Sequence, residues 1–499
     1  SYRFLQTFIL SIIVSVPFAG LAQNDQSSVS NVSLAEKVYL QTDRQVYTTN
    51  DTIWFKGIVT SAFTHKPTAL SGVLYVEMIA PSEQLLEKKL IKLTEGLGSG
   101  FFGIGADAPE GTYQLRAYTQ WNLNFGSDFI FTEYLSVIAN TKQKDNEPIN
   151  GVALVKTQGG KQLVKASFDP LDIDSLHNGK LTVFFTANGK TDSLRIDKGD
   201  NGNYWLEHRL DDSCRFVTLK MQTDNMANYA KTILIDPDYT DLQFFPESGE
   251  LVHGLPSKVG FKAVDVNGKG CFIKGDVVDD NDSLIATFES NALGMGSFSL
   301  AVADTAKTYY ARIASRLDPN RMLLLPLPKV SPRGNTLSVE KRGDKLLLIA
   351  ASNYLDDVNI DLVVSCRGMA YFNQKVTLRD GVWGGAIPAS MLPDGIIAFT
   401  LVDNTQQPVA ERLYFNQRPE ERLHLELATD KGEYAKREKT SLNVKTTNSL
   451  GEPVDANLSV LVINKEQLGG IQSKRQNILS YFLLDSELKG EIENPDYYF

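Results

Sequence analysis

Apolar and polar residues alternate along much of this chain, most clearly over residues 36–59. Val38 and Leu40 alternate with Tyr39 and Gln41. After the polar run Tyr47-Thr48-Thr49-Asn50-Asp51 the alternation resumes, with Ile53, Phe55 and Val59 on one face. Period-two patterning on either side of an Asn-Asp turn predicts two half-buried β-strands. The same pattern predicts strands over 72–79, where Leu74, Val76 and Met78 share a face, and over 113–118, where Tyr113, Leu115 and Ala117 do. Further strands are predicted over 181–186, 229–235, 297–302, 346–350, 360–365, 396–402 and 459–463. Turn chemistry separates them. Asn267-Gly268 suits the positive φ of a tight hairpin, and Leu392-Pro393-Asp394-Gly395 reads as a turn.

The opening pattern recurs. Asp43-Arg44-x-x-Tyr47, then Asp51-Thr52 and a strand, is echoed by Asp430-Lys431-x-x-Tyr434, then Glu438-Lys439-Thr440 and a strand. A shorter echo, Pro256-Ser257-Lys258-Val259-Gly260-Phe261-Lys262, stands beside Asp51-Thr52-Ile53-Trp54-Phe55-Lys56. An internal repeat marks an array. The expected limits are 36–140, 151–237, 238–329 and 330–418, with an incomplete sandwich over 423–466. Polar linkers are expected at 141–150 and 416–421. Strands spaced by turn signals in stretches of about 100 residues point to β-sandwiches. Residues 467–488 change period. Ile471, Ile478, Leu479, Phe482, Leu483 and Leu488 recur at largely helical spacing, and Gly490 and Asn494-Pro495 follow as stop signals. The expectation there is a helical insertion over 467–499, in a chain cut short within its last domain.

The run KVYLQTDRQVYTTNDTIWFKG resembles the opening of the second macroglobulin domain of the alpha-macroglobulin family. Gly111-Thr112-Tyr113-Gln114-Leu115-Arg116-Ala117-Tyr118-Thr119, then Trp121 and Asn124-Phe125-Gly126, resembles its Bacteroidetes-type branch. The resemblance covers residues 36–499 at decreasing strength. It implies a tandem array of macroglobulin (fibronectin III-like) seven-stranded sandwiches, so that with the helical spacing of 467–488 the expected fold is all-β with a short helical segment near the C-terminus. It also implies endopeptidase-inhibitor-like binding of proteases. The branch implies a C-terminal TonB-receptor plug domain and an accessory role in outer-membrane transport. An adhesin or spacer role is a third expectation. The family's sixth macroglobulin domain is interrupted by a bait segment. The helix expected over 467–488 sits at a similar place, but its pattern is unlike a loose cleavable loop. The thioester of protease-trapping members is carried by a Gly-Cys-Gly-Glu-Gln type sequence. Cys214, Cys271 and Cys366 have no such context, and the family places that motif far downstream.

Charge narrows the partners. A net charge of −10 argues against nucleic acid, whose phosphates demand a basic face. The expected partner is a protein, either a protease or a component of the outer membrane or envelope. Residues 1–22 read as a secretory signal peptide. Arg3 precedes an apolar run over 4–18, and Gly20-Leu21-Ala22 supplies small residues at the cleavage site. Residues 23–35 read as a flexible leader. No transmembrane helix is expected in the mature chain, and its place is the periplasm, the outer membrane or the cell surface. The three cysteines are far apart, with no CxxC, and read as buried thiols.

Several motifs fall short of a site. Gly98-Ser99-Gly100-Phe101-Phe102-Gly103 matches GxGxxG, but the turn chemistry of residues 105–111 follows where a dinucleotide site needs a helix. Gly189-Lys190-Thr191 lacks the first glycine of a phosphate loop and reads as a hairpin turn. Neither HExxH nor GxSxG occurs, and His65, His177, His208, His253 and His424 stand apart. Asp279-Asp280-Asn281-Asp282 clusters oxygens without the glycine and bidentate glutamate of a calcium loop, and reads as a solvated turn. Asp43 and Arg44 are expected to satisfy local backbone and charge, with Tyr47 packed at a sandwich edge. No catalytic, cofactor-binding or metal-ligating residue is named, no cofactor is expected, and the chain is read as not an enzyme.

Overall fold

The computed structural model describes residues 34–462 and 476–499, apart from 82, 139–148, 157–161, 169–179, 188–189, 200–201, 212–213, 215, 223–227, 236–239, 266–267, 302, 316–317, 319, 355 and 491. The expected signal peptide, nearly all of the expected leader, most of the expected 141–150 linker, His177, Gly189, Asn267 and the 467–475 part of the expected helix lie outside the described residues. The described chain is nearly all β and falls into two compact units. One holds Ala35–Pro246 and Pro256–Pro332, and the other holds Glu247–Leu255 and Arg333–Phe499.

The first unit opens with β1 (Glu36–Thr42), β2 (Val46–Thr48), β3 (Thr52–Ser61), β4 (Val73–Ile79), β5 (Leu85–Lys92), β6 (Leu97–Gly103), β7 (Gly111–Tyr118) and β8 (Phe131–Ile138). They form two sheets, β1-β3-β6 and β2-β8-β7-β4-β5. Neighbours are antiparallel except β2, which joins β8 in parallel. The alternation read from the sequence becomes the core. Val38, Leu40, Ile53, Phe55 and Val59 are buried from one sheet, and Leu74, Val76, Leu115 and Leu135 from the other. Gly57 lets the sheets meet, since a Cβ there would lie 2.4 Å from Leu74 Cδ2.

Next come β9 (Ile149–Lys156), β10 (Gln162–Phe168), β11 (Lys180–Ala187), β12 (Lys190–Asp197), β13 (Tyr204–Arg209), β14 (Phe216–Gln222) and β15 (Asn228–Leu234). Their sheets are β9-β10-β13 and β12-β11-β14-β15, and Phe168, Tyr204, Phe185 and Leu219 are buried in one core. Then follow β16 (Thr240–Pro246), β17 (Leu251–Val252), β18 (Ser257–Asp265), β19 (Lys274–Asp279), β20 (Leu284–Glu289), β21 (Met295–Leu300), β22 (Tyr309–Ala314), β23 (Met322–Pro326) and β24 (Val330–Ser331). Sheets β16-β18-β21 and β20-β19-β22-β23 meet through Phe261 and Phe288, whose rings stand 5.0 Å apart edge to face.

The second unit holds β25 (Asn335–Arg342), β26 (Lys345–Ser352), β27 (Val358–Cys366), β28 (Met369–Leu378), β29 (Val382–Pro388), β30 (Gly395–Val402) and β31 (Pro408–Asn416), in sheets β25-β26-β29 and β28-β27-β30-β31. Leu346, Leu348, Leu362, Val364 and Phe399 are fully buried in its core. The segment Glu247–Leu255, with β17, packs here although its sequence neighbours belong to the other unit. Ser248 Oγ accepts the Leu337 amide at 2.5 Å, Asn353 Nδ2 donates to the His253 carbonyl at 2.9 Å, and Glu247 pairs with Arg412 at 2.9 Å.

All four sandwiches share one plan. With β2, β17 and β24 set aside, the first, second and fifth strands of each make one sheet, and the third, fourth, sixth and seventh make the other. This is the seven-stranded architecture that the family resemblance implies. After it come the hairpin β32 (His424–Thr429) and β33 (Leu442–Thr447), and the helix α1 (Ile478–Leu483).

One expectation needs correction. Residues 459–462 make no strand pairing among the described residues. The short helical segment expected near the C-terminus is present as α1. An Asn477/Ser480 capping box starts α1, but Leu484 leaves the helical region at φ −135° and only 3₁₀ turns follow. No helix among the described residues is long and apolar enough to cross a membrane.

Candidate functional site

The motif that repeats in the sequence repeats in space. In its first copy Tyr47 lies on edge strand β2 and is almost fully buried. Its hydroxyl donates to Asp43 Oδ1 at 2.7 Å and accepts the Arg44 amide at 3.2 Å. Asp43 Oδ1 also accepts the Trp54 amide at 2.9 Å, while the Asp43 amide donates to the Trp54 carbonyl at 3.0 Å. The carboxylate thus ties the end of β1 to the start of β3. Asp51 Oδ2 accepts the Thr48 amide at 2.7 Å and faces Arg44 Nη1 at 3.4 Å. Between them Asn50 adopts φ +69°, the left-handed conformation that asparagine tolerates. Burial pushes the Tyr47 phenol up, and the Asp43 hydrogen bond adds to it, so the hydroxyl stays a donor.

The second copy has the same bonds at the same spacing. Tyr434 donates to Asp430 Oδ1 at 2.6 Å and accepts the Lys431 amide at 2.9 Å. Asp430 Oδ1 accepts the Ser441 amide at 2.8 Å, and the Asp430 amide donates to the Ser441 carbonyl at 3.1 Å. Glu438 takes the place of Asp51, accepting the Ala435 amide at 2.7 Å and pairing with Lys431. Arg437 stands where Asn50 does, at φ +65°. The registers agree as well, with Thr42 opposite Phe55 in one copy and Thr429 opposite Leu442 in the other. The likeness extends past the second strand. Val59 O accepts the Thr68 amide at 3.1 Å and Thr446 O accepts the Val454 amide at 3.1 Å, one residue earlier.

Residues 37–129 match the family model of the MG2 domain. The match supports the resemblance to alpha-macroglobulins carried by the opening run. No curated protein matches the chain. Among solved structures the chain is similar to native E. coli alpha-2-macroglobulin, with 12% identity over 85% of this chain and 32% of that one at a TM-score of 0.34. Salmonella alpha-2-macroglobulin reacted with methylamine gives 14% identity over 85% and 33%, at 0.34. Trypsin-activated E. coli alpha-2-macroglobulin gives 13% over 87% and 34%, at 0.35. The chain spans about a third of the length of these proteins.

The two copies differ in what covers them. In the MG2-matching segment Val38, Leu40 and Phe55 are 0%, 1% and 4% exposed, within the core shared with β4 and β7. Their counterparts Leu425, Leu427 and Leu442 are 59%, 66% and 41% exposed, and Val444, in the place of Gly57, is exposed too. The second copy is a preformed strand pair whose core face is uncovered among the described residues.

The outer face of the MG2-matching segment carries a second cluster. Glu77 on β4 is nearly buried, held by Arg116 Nη2 at 2.5 Å, the Tyr118 hydroxyl at 2.8 Å and Lys88 Nζ at 3.3 Å. Burial opposes its ionisation, but hydrogen bonds from Arg116, Tyr118 and Lys88 together outweigh it and hold the carboxyl below its ordinary range. Tyr75 stacks on Tyr118 at 5.5 Å, with Lys88 over both rings. Around the corner Trp54 and Phe101, cross-strand partners, pair at 5.0 Å and stay half exposed. Sequence alternation marks these positions as outward-facing, but it gives no sign that a carboxylate is enclosed there.

The remaining motifs are structural. The glycines of 98–103 lie in β6, where a Cβ on Gly98 or Gly100 would come 2.7 Å from Ile91, so these two serve close packing. In the acidic turn, Asp279 Oδ2 pairs with Lys307 at 2.7 Å and Oδ1 accepts the Ser283 amide at 2.8 Å. Asp282 pairs with Arg312 at 2.6 Å. Lysine and backbone donors hold the Asp279 carboxyl at a pKa of about 2. Cys214, Cys271 and Cys366 carry buried thiols in three separate sandwiches, with no disulfide among the described residues. Among the described residues, no group of three or more His, Cys, Asp or Glu side chains gathers as a metal site.

Proposed function

We propose that this chain is an exported, non-catalytic macroglobulin-like scaffold that binds a protein partner, with a protease as the first partner to test. The observation that carries this is the MG2 match at residues 37–129, set in an array of sandwiches of one plan. Broad sheet faces and edge strands suit binding by face packing or strand addition. Export rests on Arg3, the apolar run over 4–18 and Gly20-Leu21-Ala22. Mature protein beginning just after Ala22 supports it, and mature protein retaining 4–18 refutes it.

Trapping a protease needs a cleavable bait, a conformational collapse and usually a covalent ester. Residues 23–499 supply the walls of such a device, and are expected to bind without trapping. The assay incubates the protein with trypsin-like and subtilisin-like proteases, then scores residual activity on a large protein and on a small peptide. Unchanged activity on both, with association detected by ultracentrifugation, supports a binding scaffold. Loss on the large substrate alone, at near-stoichiometric ratio, is the signature of a steric cage and overturns it. Absence of association with either protease removes the protease as partner.

A further inference from the structure

The fourth sandwich passes into the β32–β33 hairpin through residues 416–422, of which 416–421 read from composition as a polar linker. The structure makes this segment an elbow. Asn416 is enclosed, with Nδ2 3.0 Å from the Leu392 carbonyl and 2.9 Å from that of Pro393. Asp394, in the turn before β30, accepts the Arg418 amide at 3.2 Å. Its two carboxylate oxygens also face Arg422, Nε at 3.2 Å and Nη2 at 3.4 Å. Pro419–Glu421 closes as a 3₁₀ turn between these anchors.

Residues 476–490 and 492–499 return to the same place. Leu483 of α1 lies against Gly395 at the start of β30. Phe499 meets Phe415 of β31 edge to face at 5.3 Å, and the Arg422 guanidinium stands 5.2 Å from the Phe499 ring centre. Gln417 Nε2 donates to the Tyr498 carbonyl. The two ends of the segment are tied together by Asn477 Nδ2 donating to Asp496 at 2.7 Å. The returning segment therefore grips Phe415 and Gln417 and covers the guanidinium that holds Asp394. Screening that ion pair from water strengthens it. Among the described residues the hairpin has no comparable support, since both faces of β32 are exposed along its length.

We propose that the described residues of the tail, 476–490 and 492–499, are a strap that locks the 416–422 elbow and so fixes the direction in which the hairpin leaves the fourth sandwich. A hairpin with an open apolar face is an association hazard if it swings freely. The strap presents it in one orientation.

The test is a distance distribution between spin labels at the exposed positions Lys375→Cys on β28 and Lys445→Cys on β33, in the full chain. Unsubstituted protein, whose three cysteines are buried, sets the background. The expected result is one narrow distribution that at least doubles in width on Phe499→Ala. Gln417→Ala, which removes only the bond to Tyr498, should broaden it less. Asp394→Asn breaks the elbow without touching the strap, and should broaden it at least as much. Circular dichroism and the melting of the fourth sandwich should be unchanged in Phe499→Ala and Gln417→Ala. A distribution already broad in the parent overturns the proposal. So does one that broadens with Asp394→Asn but stays narrow with both Phe499→Ala and Gln417→Ala, since the elbow would then hold itself.

Discussion

The Tyr47 hydroxyl donates to the Asp43 carboxylate at 2.7 Å from an almost fully buried position. That one bond lets a carboxylate outside the ladder act as its last rung, because the same oxygen accepts the Trp54 amide. A hydrogen bond to a charged group is worth about 1.5–3 kcal/mol net. Tyr47→Phe should therefore raise hydrogen exchange at the Trp54 and Arg44 amides by roughly ten- to a hundred-fold, as about 1.4 kcal/mol per decade implies. Tyr434→Phe removes the same bond at a more exposed site, where water replaces it, and should move the Ser441 amide by less than about ten-fold. Equal effects at the two sites would mean that burial does not set the strength of the lock.

The repeat was legible because it is local. Aspartate, tyrosine and the acidic turn residue sit within one turn, so the spacing that forms the bonds is also the spacing seen in the sequence. Strands with one buried face, such as β4, β7, β26 and β30, were legible for a similar reason, since each alternates by itself. Arg437 at φ +65° was not legible, because arginine carries no local preference for that conformation and the surrounding lock imposes it. Nor was the placing of Glu247–Leu255 with the fourth sandwich, which depends on partners as distant as Leu337 and Arg412. The pattern at 459–462 has the alternation of a strand without a neighbour to pair with among the described residues, and alternation alone cannot distinguish the two.

Gly96 is the position in the MG2-matching segment where backbone freedom decides the fold. It adopts φ +77°, and a Cβ there would lie 2.4 Å from the Val59 carbonyl oxygen and 2.8 Å from the Thr68 amide. Neither atom is able to yield, since Thr68 N is bonded to Val59 O. Gly96→Ala should destabilise the segment by more than about 2 kcal/mol, through strain and overpacking together. Gly103→Ala, with nothing near its Cβ, should stay within about 0.5 kcal/mol. Thermal melts of the two variants check this, and a Gly96→Ala protein that melts with its parent would contradict it.

Asp279 gives the third sandwich an acid-sensitive stability. Lys307 first, then the Ser283 amide, lower its carboxyl from 3.8 to about 2 in the folded state. A depressed pKa means that the unfolded state binds the proton more tightly. The contribution is thus complete above the unfolded value near 3.8 and is lost as pH falls through about 2. Asp279→Asn should lower the melting temperature at pH 6 and flatten its decline between pH 4 and about 2. Lys307→Met should shift the decline to higher pH, because it removes the cation that depresses the carboxyl. Parallel curves for the parent and Asp279→Asn would show that the pair does not contribute.

The contrast between Leu40 and Leu427 tests what the two copies of the lock are worth as folding units. They hold the same register position, one 1% exposed beneath a second sheet and the other 66% exposed. Truncating a buried leucine costs about 2–5 kcal/mol, because the site cannot collapse to fill the space. Leu40→Ala should therefore unfold the first sandwich at distinctly lower urea concentration. Leu427→Ala touches no packed neighbour in its own hairpin core and should change stability by less than about 0.5 kcal/mol. Its effect should appear as reduced binding of a fluorescent apolar dye, since it removes area from an open face that also includes Leu425, Leu442 and Val444. The lock itself, built from Asp430, Tyr434 and Glu438, should be unaffected, with the Ser441 amide exchanging as in the parent. A large loss of stability on Leu427→Ala would mean that this face is covered in solution, and the dye would then find nothing to bind in the parent protein either.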